Sequence, residues 1–186
     1  MLEDADLDKA VEDIFWGCMY NMGQNCVAST RVLVDKQIYP QFVSKITEYC
    51  AKNVKIGDPF DATTNFGPLN NAAQLEKCQH YANLDKSLKQ VSPQFELPKE
   101  GLYFAPLIYS HVPHDHPVST EEIFGPVLSI CQPIDGLEEG IRRANDSNYG
   151  LGAAIFSKDL YKIQKFVRGI AYILKKFATR YIYSIS

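Results

Sequence analysis

The strongest constraint on this chain is a repeated change in the spacing of its apolar residues. Leu7, Ala10, Val11, Ile14, Phe15, Cys18, Met19 and Met22 recur at helical intervals. That spacing predicts an amphipathic helix, capped by Asp4 or Asp6 and stopped at Gly23. "RVLV" (31–34) then reads as a strand. A second helix has Pro40 in its first turn and a stripe of Ile38, Phe42, Val43, Ile46, Tyr49 and Cys50. "KIGDPFDATTNFGPLNN" is broken by Gly57, Pro59, Gly67 and Pro68 and reads as loop. "NAAQLEKCQHYANLDKSLKQ" is expected as a third helix.

"GLYFAPLIYSHV" is β-rich, with Pro106 suggesting an edge or a bulge. A strand follows from about residue 126 to 132, then a helix over "GLEEGIRRAND" with Asp135 as its cap. "YGLGAAIFS" is a strand of small residues, and "KDLYKIQKFVRGI" a helix with Leu160, Ile163, Phe166 and Val167 inward. The order α-β-α-α-β-β-α-β-α predicts an α/β fold: a three-layer open sheet flanked by helices. The tail, "AYILKKFATRYIYSIS", is expected as one strand and a frayed end.

Composition removes several function classes. A net charge of −3 leaves no basic footprint for nucleic acid. No apolar run approaches the roughly 20 residues of a membrane span. "MLEDADLDKA" opens acidic and lacks the pattern of a secretory signal. The five cysteines, Cys18, Cys26, Cys50, Cys78 and Cys131, are odd in number, widely spaced and without a CxxC. This argues against a disulfide framework and a thiolate zinc site. It favours a reducing, cytoplasmic setting, with the mitochondrial matrix also compatible.

Four stretches can carry chemistry, each beside a plainer reading. Cys26 sits in a loop between a helix and a strand, where a thiolate can act as a nucleophile, or it is one more small buried thiol. "HVPHDH" gathers His111, His114, Asp115 and His116, as a metal site or as a solvated loop. "YGLGA" contains a GxG but no third glycine, so a tight start to a buried strand is favoured over a dinucleotide turn. "STEEIFGPV" is either a capped turn, with Ser119 or Thr120 starting a short helix, or a carboxylate presented to a sugar hydroxyl.

Together these pieces resemble one family, the NAD(P)-dependent aldehyde dehydrogenases. "EDADLDKAVE" is similar to the lead into that family's active-site helix. "GQNCVASTRVLV" resembles its Gly-Gln-x-Cys signature, and "IGDPFDATTNFGPL" its Gly-Asp-Pro to Gly-Pro-Leu stretch. "EEIFGPV" and "ANDSNYGLGAAIFSKDL" resemble the blocks that follow. The resemblance covers residues 3–170 and implies a catalytic-domain fold over 1–170, with 171–186 a divergent tail. It implies Cys26 as the nucleophile that attacks an aldehyde, with its backbone N–H as one oxyanion donor. It implies Glu122 as the acid that holds the nicotinamide ribose, Phe124 as the aromatic beside it, and NAD or NADP as cofactor.

The family's Rossmann-type cofactor domain, its oxyanion-hole asparagine and its general-base glutamate lie upstream of the matched segment. After "FVRGI" the family's ending differs from this one. The expectation is therefore aldehyde-to-acid oxidation by family, with little or no turnover from this chain alone. Two other readings stand beside it: a residual cysteine esterase, and a non-catalytic piece that self-associates through exposed apolar surface or joins a full-length homologue.

Overall fold

A computed structural model describes residues 1–171, together with the backbone of the strands Leu174–Ala178 and Ile182–Ser184. Helix α1 (Leu7–Met19) starts where Asp6 Oδ1 accepts from the Lys9 N–H. The expected stop at Gly23 comes early. Asn21, Met22 and Gly23 take φ of 50°, 54° and 70°, so the helix ends at Met19 and a tight turn occupies Tyr20–Gly23. Strand β1 (Arg31–Val32), helix α2 (Tyr39–Asn53) and helix α3 (Ala72–Leu84) follow. Asn71 caps α3, its side chain accepting from the Gln74 N–H.

Helix α3 does not run on to residue 90. Asp85 leaves helical geometry and its carboxylate accepts from the Ser87 N–H, an Asx turn that releases Lys89–Gln90 as strand β2. Strand β3 (Leu107–Val112), the short helix α4 (Pro117–Thr120), strand β4 (Val127–Cys131) and helix α5 (Gly136–Asn145) complete the first half. Pro106 marks neither edge nor bulge. It precedes β3, which is an inner strand, and the register slips later, between Tyr109 and Val112. His111 there has φ 55°, and its N–H donates to Tyr39 Oη at 2.7 Å.

Ser119 and Thr120 end α4 rather than start it; the cap is His116, whose Nδ1 accepts from the Val118 N–H. Asp135 flanks α5 but makes no cap bond. Its carboxylate pairs with Lys36, and it is Asp35 that accepts from the Gly136 N–H.

The four-stranded sheet has the order β1-β4-β3-β2, parallel but for β2. Its strands alternate faces as the pleat requires. Ile108, Leu128 and Ile130 join Phe15, Phe42 and Ile46 of α1 and α2 in one core. Leu107, Tyr109 and Val127 join Cys78 and Tyr81 of α3 in another. Helices on both faces make the expected three layers. Strand β5 (Gly152–Phe156) and helix α6 (Leu160–Gly169) belong to a second sheet, β5-β6-β7, with β6 (Leu174–Ala178) parallel to β5 and β7 (Ile182–Ser184) antiparallel to β6. The tail thus carries two strands where one was expected. Ile155, Ile163, Phe166 and Ile170 form the third core.

Candidate active site

The stretch around Cys26 is held in place by its neighbours. Cys26 follows Asn25 in a turn closed by the Ala28 N–H to the Asn25 carbonyl, 3.1 Å, and Asn25 Oδ1 accepts from the Val27 N–H. Downstream, the Ser29 N–H donates to the Gly17 carbonyl of α1 at 2.9 Å. Upstream, two side chains accept from the loop before α3: Met22 Sδ from the Gly67 N–H at 3.3 Å and Gln24 Oε1 from the Asn70 N–H at 2.9 Å. The "NFGPLNN" loop is therefore a brace for the cysteine turn.

Gly23 makes the closest approach. A Cβ there would lie 2.1 Å from the carbonyl oxygen of Gly125, and φ is 70°. Only glycine fits on both counts. A Cβ on Gly125 would in turn meet Cys78 Sγ at 2.2 Å. The glycines of "MGQNC" and "IFGPV" thus press two distant segments together, with the Cys78 thiol beneath.

Across this contact, residues 121–124 lie along α3. Lys77 Nζ donates to the Glu122 carbonyl at 2.7 Å, and Gln74 Nε2 to the Ile123 carbonyl at 2.9 Å. The Tyr81 hydroxyl donates to the Glu121 carboxylate, and the Glu122 N–H to Tyr149 Oη at 3.3 Å. Phe124 takes φ 60°, a left-handed conformation costly for a non-glycine residue. Cys26, Glu122 and Phe124 all line one cavity of about 720 Å³, with Tyr149, Gly150 and Leu151. The "YGLGA" stretch thus contributes wall residues as well as the start of β5.

The five cysteines separate sharply. Cys18, Cys50, Cys78 and Cys131 are buried and Cys26 is exposed. Burial pushes the Cys18 and Cys50 thiols up to about 12 and Cys131 up to about 11; it also raises Cys78. A thiolate is the reactive form, so the four buried groups are inert as nucleophiles. The alternative of Cys26 as a buried core thiol is removed.

"HVPHDH" disperses. His114 Nε2 pairs with Asp146 at 2.9 Å, His116 Nε2 with Asp85 at 3.4 Å, and the His111 ring packs on Tyr39. Among the described residues, no three His, Cys, Asp or Glu side chains gather as a metal site. Nor is any helix among them long and apolar enough to cross a membrane. Sequence reasoning passed over Tyr149, Gln74 and Lys77. The last two had a legible signal: they are polar residues three apart, at helical spacing, along α3.

An exposed cysteine on a loop facing a left-handed Glu-Ile-Phe-Gly turn, over a three-layer α/β sheet, defines a particular class of site. The family model "Aldehyde dehydrogenase family" matches residues 1–173, and the chain belongs to that family. It is 39% identical over 175 residues to "Betaine aldehyde dehydrogenase, chloroplastic" of Amaranthus hypochondriacus, covering 91% of this chain and 34% of that protein. It is 41% identical over 167 residues to human "Retinaldehyde dehydrogenase 3", covering 87% of this chain and 32% of that protein. The NAD+ complex of an aldehyde dehydrogenase from Bacillus cereus superposes with a TM-score of 0.89 at 32% identity. That match covers 95% of this chain and 36% of the other. The chain spans about a third of the length of these relatives.

Proposed function

We propose that the cavity is the reacting half of an aldehyde-oxidising site, with Cys26 as nucleophile and Glu122 and Phe124 as contacts for a nicotinamide nucleotide. One observation carries this: the only exposed thiol of the five and the Glu122–Phe124 turn line the same cavity. The Cys26 thiolate adds to the carbonyl carbon of an aldehyde, and the carbonyl electron pair moves to oxygen. The Cys26 N–H, which has no hydrogen-bond partner among the described residues, is a donor for that oxygen. Loss of hydride from the same carbon leaves a thioester on Sγ, and water cleaves it to a carboxylic acid and the free thiol.

The residues fit the cofactor. The Glu122 carboxylate is exposed and makes no ion pair among the described residues, so it is available to ribose hydroxyls. Phe124 offers a ring beside it. When bound, NAD or NADP supplies the hydride acceptor.

Among the described residues, no carboxylate or imidazole hydrogen-bonds Cys26 Sγ. A positioned base is what activates water on a thioester. The chain by itself is therefore proposed to acylate and to turn over little. Residues 1–170 are read as the catalytic-domain portion and 171–186 as a divergent ending. With 4-nitrophenyl acetate, wild type is expected to release about one equivalent of nitrophenolate in a burst, and Cys26→Ser none. Equal release from both would overturn Cys26 as nucleophile.

A second proposal concerns association. Tyr20 is 69% exposed and Tyr149 52%, and both rim the cavity with Val27 and Leu151. An apolar rim of this kind favours self-association. Sedimentation should show a dimer or larger species, and a monomer that persists at high concentration would refute it.

A further inference from the structure

Glu121 and Glu122 are adjacent, exposed and chemically alike. Their surroundings are not. The Tyr81 ring is buried in the core that includes Leu107, Val127 and Ile123, and its hydroxyl donates to the Glu121 carboxylate. Glu122 is held by its backbone instead. Lys77 Nζ donates to its carbonyl, its N–H donates to Tyr149 Oη, and the next carbonyl accepts from Gln74 Nε2. Ile123 is buried and pins the segment between them. Both residues line the cavity, and the difference between the two carboxylates is that Tyr81 ties the one on Glu121.

We propose that Tyr81, acting through Glu121, is a positioning residue that commits the first carboxylate to the α3 side and leaves Glu122 free to face a nicotinamide ribose. This rests on the reading of Glu122 given above. Burial and then the Glu121 charge push the Tyr81 hydroxyl up to about 12. It stays protonated through the neutral range, so toward Glu121 it acts only as a donor. Without that bond, the Glu121 carboxylate competes for the same side of the segment, and the backbone bonds alone do not choose between the two.

The test needs no knowledge of the natural substrate. Carbodiimide-driven amidation, read by peptide mass spectrometry, reports each glutamate separately. In wild type, Glu122 is expected to react at least about tenfold faster than Glu121, the size of one net hydrogen bond to a charged group. Tyr81→Phe keeps the ring in the core and should equalise the two rates. Glu121→Leu removes the competing carboxylate without touching the core. Nicotinamide mononucleotide is the probe. It should protect Glu122 alike in wild type and in Glu121→Leu, and need about tenfold higher concentration in Tyr81→Phe, where the competing carboxylate is present and untied. Equal labelling in wild type overturns the proposal, as do unchanged labelling and protection in Tyr81→Phe. The expected labelling with no protection by the mononucleotide at any concentration sinks the ribose reading of Glu122, while the Tyr81–Glu121 commitment stands.

Discussion

In the four-stranded sheet, β3 and β4 pair in register from Leu107 with Val127 through Tyr109 with Ser129, and the side chains on either face are closed off from water. At the cavity, residues 21–27 and 121–125 belong to no sheet. Their backbone is left-handed at Asn21, Met22, Gly23 and Phe124 and is held by bonds from side chains: Met22, Gln24, Gln74, Lys77 and Tyr149. The sheet is stabilised by apolar burial, which tolerates small shape errors. The cavity turns depend on a few polar bonds and one glycine contact. They can lose their shape while the sheet stays folded, as expected where local strain is stored against a rigid scaffold.

The largest contrast is in thiol chemistry. Iodoacetamide should label Cys26 alone in the native protein, at least about a thousandfold faster than the buried four, which must wait for opening. Mass spectrometry of the native and denatured protein checks this, and comparable native labelling of Cys18 or Cys131 would erase the distinction. Next in size is Phe15→Ala. Phe15 is fully buried in the α1–α2 core, so about 4 kcal/mol of stability should be lost in denaturant unfolding. Gly23→Ala should cost about 3 kcal/mol through the clash with the Gly125 carbonyl and the positive φ. Unlike Phe15→Ala, it should also alter the Cys26 labelling rate in the protein that remains folded. An unchanged rate would mean that the glycine contact does not shape the cysteine turn.

Phe124→Gly sharpens the comparison from the other side. It removes an aromatic ring yet relieves left-handed strain, so stability should change by no more than about 1 kcal/mol. A loss as large as that of Phe15→Ala would place Phe124 in the core.

The smallest effect belongs to Asp4, which is not among the residues that line the cavity. Burial opposes its ionisation. Hydrogen bonds from Ser157 Oγ and the Lys158 N–H, with the Lys162 charge, outweigh burial and hold the carboxyl below its usual value. A carboxyl lowered in the folded state stabilises above its unfolded pKa, and that contribution disappears as pH falls through the folded one. Urea midpoints of wild type and Asp4→Asn should therefore differ near neutrality and converge below about pH 4. Parallel curves across that range would show that Asp4 contributes nothing through its charge.

Much of this was legible in the residues. Leu160, expected inward on α6, is 69% exposed, but the helical stripes of α1 and α2 and the apolar runs of β3 and β4 depend on local periodicity, which survives in a linear string. So did the strings around Cys26 and Glu122. The errors fell at the ends of elements. The α1 stop, the α3 stop, the α4 boundary and the α5 cap all turn on single side chains or φ angles, which periodicity does not encode. Gln74, Lys77 and Tyr149 act on residues between 27 and 49 positions away.

The opening alternation of helix and strand thus determined the α/β class by itself, because burying one stripe per helix against a sheet leaves few other arrangements. The family followed from short strings in order. Only the tertiary structure decided which cysteine is accessible, because burial depends on the neighbours brought over each thiol. Likewise, only the folded chain distinguishes Glu121, whose carboxylate is bonded to Tyr81, from Glu122, whose carboxylate makes no ion pair among the described residues. Two identical side chains one residue apart differ in nothing but the surface each one meets.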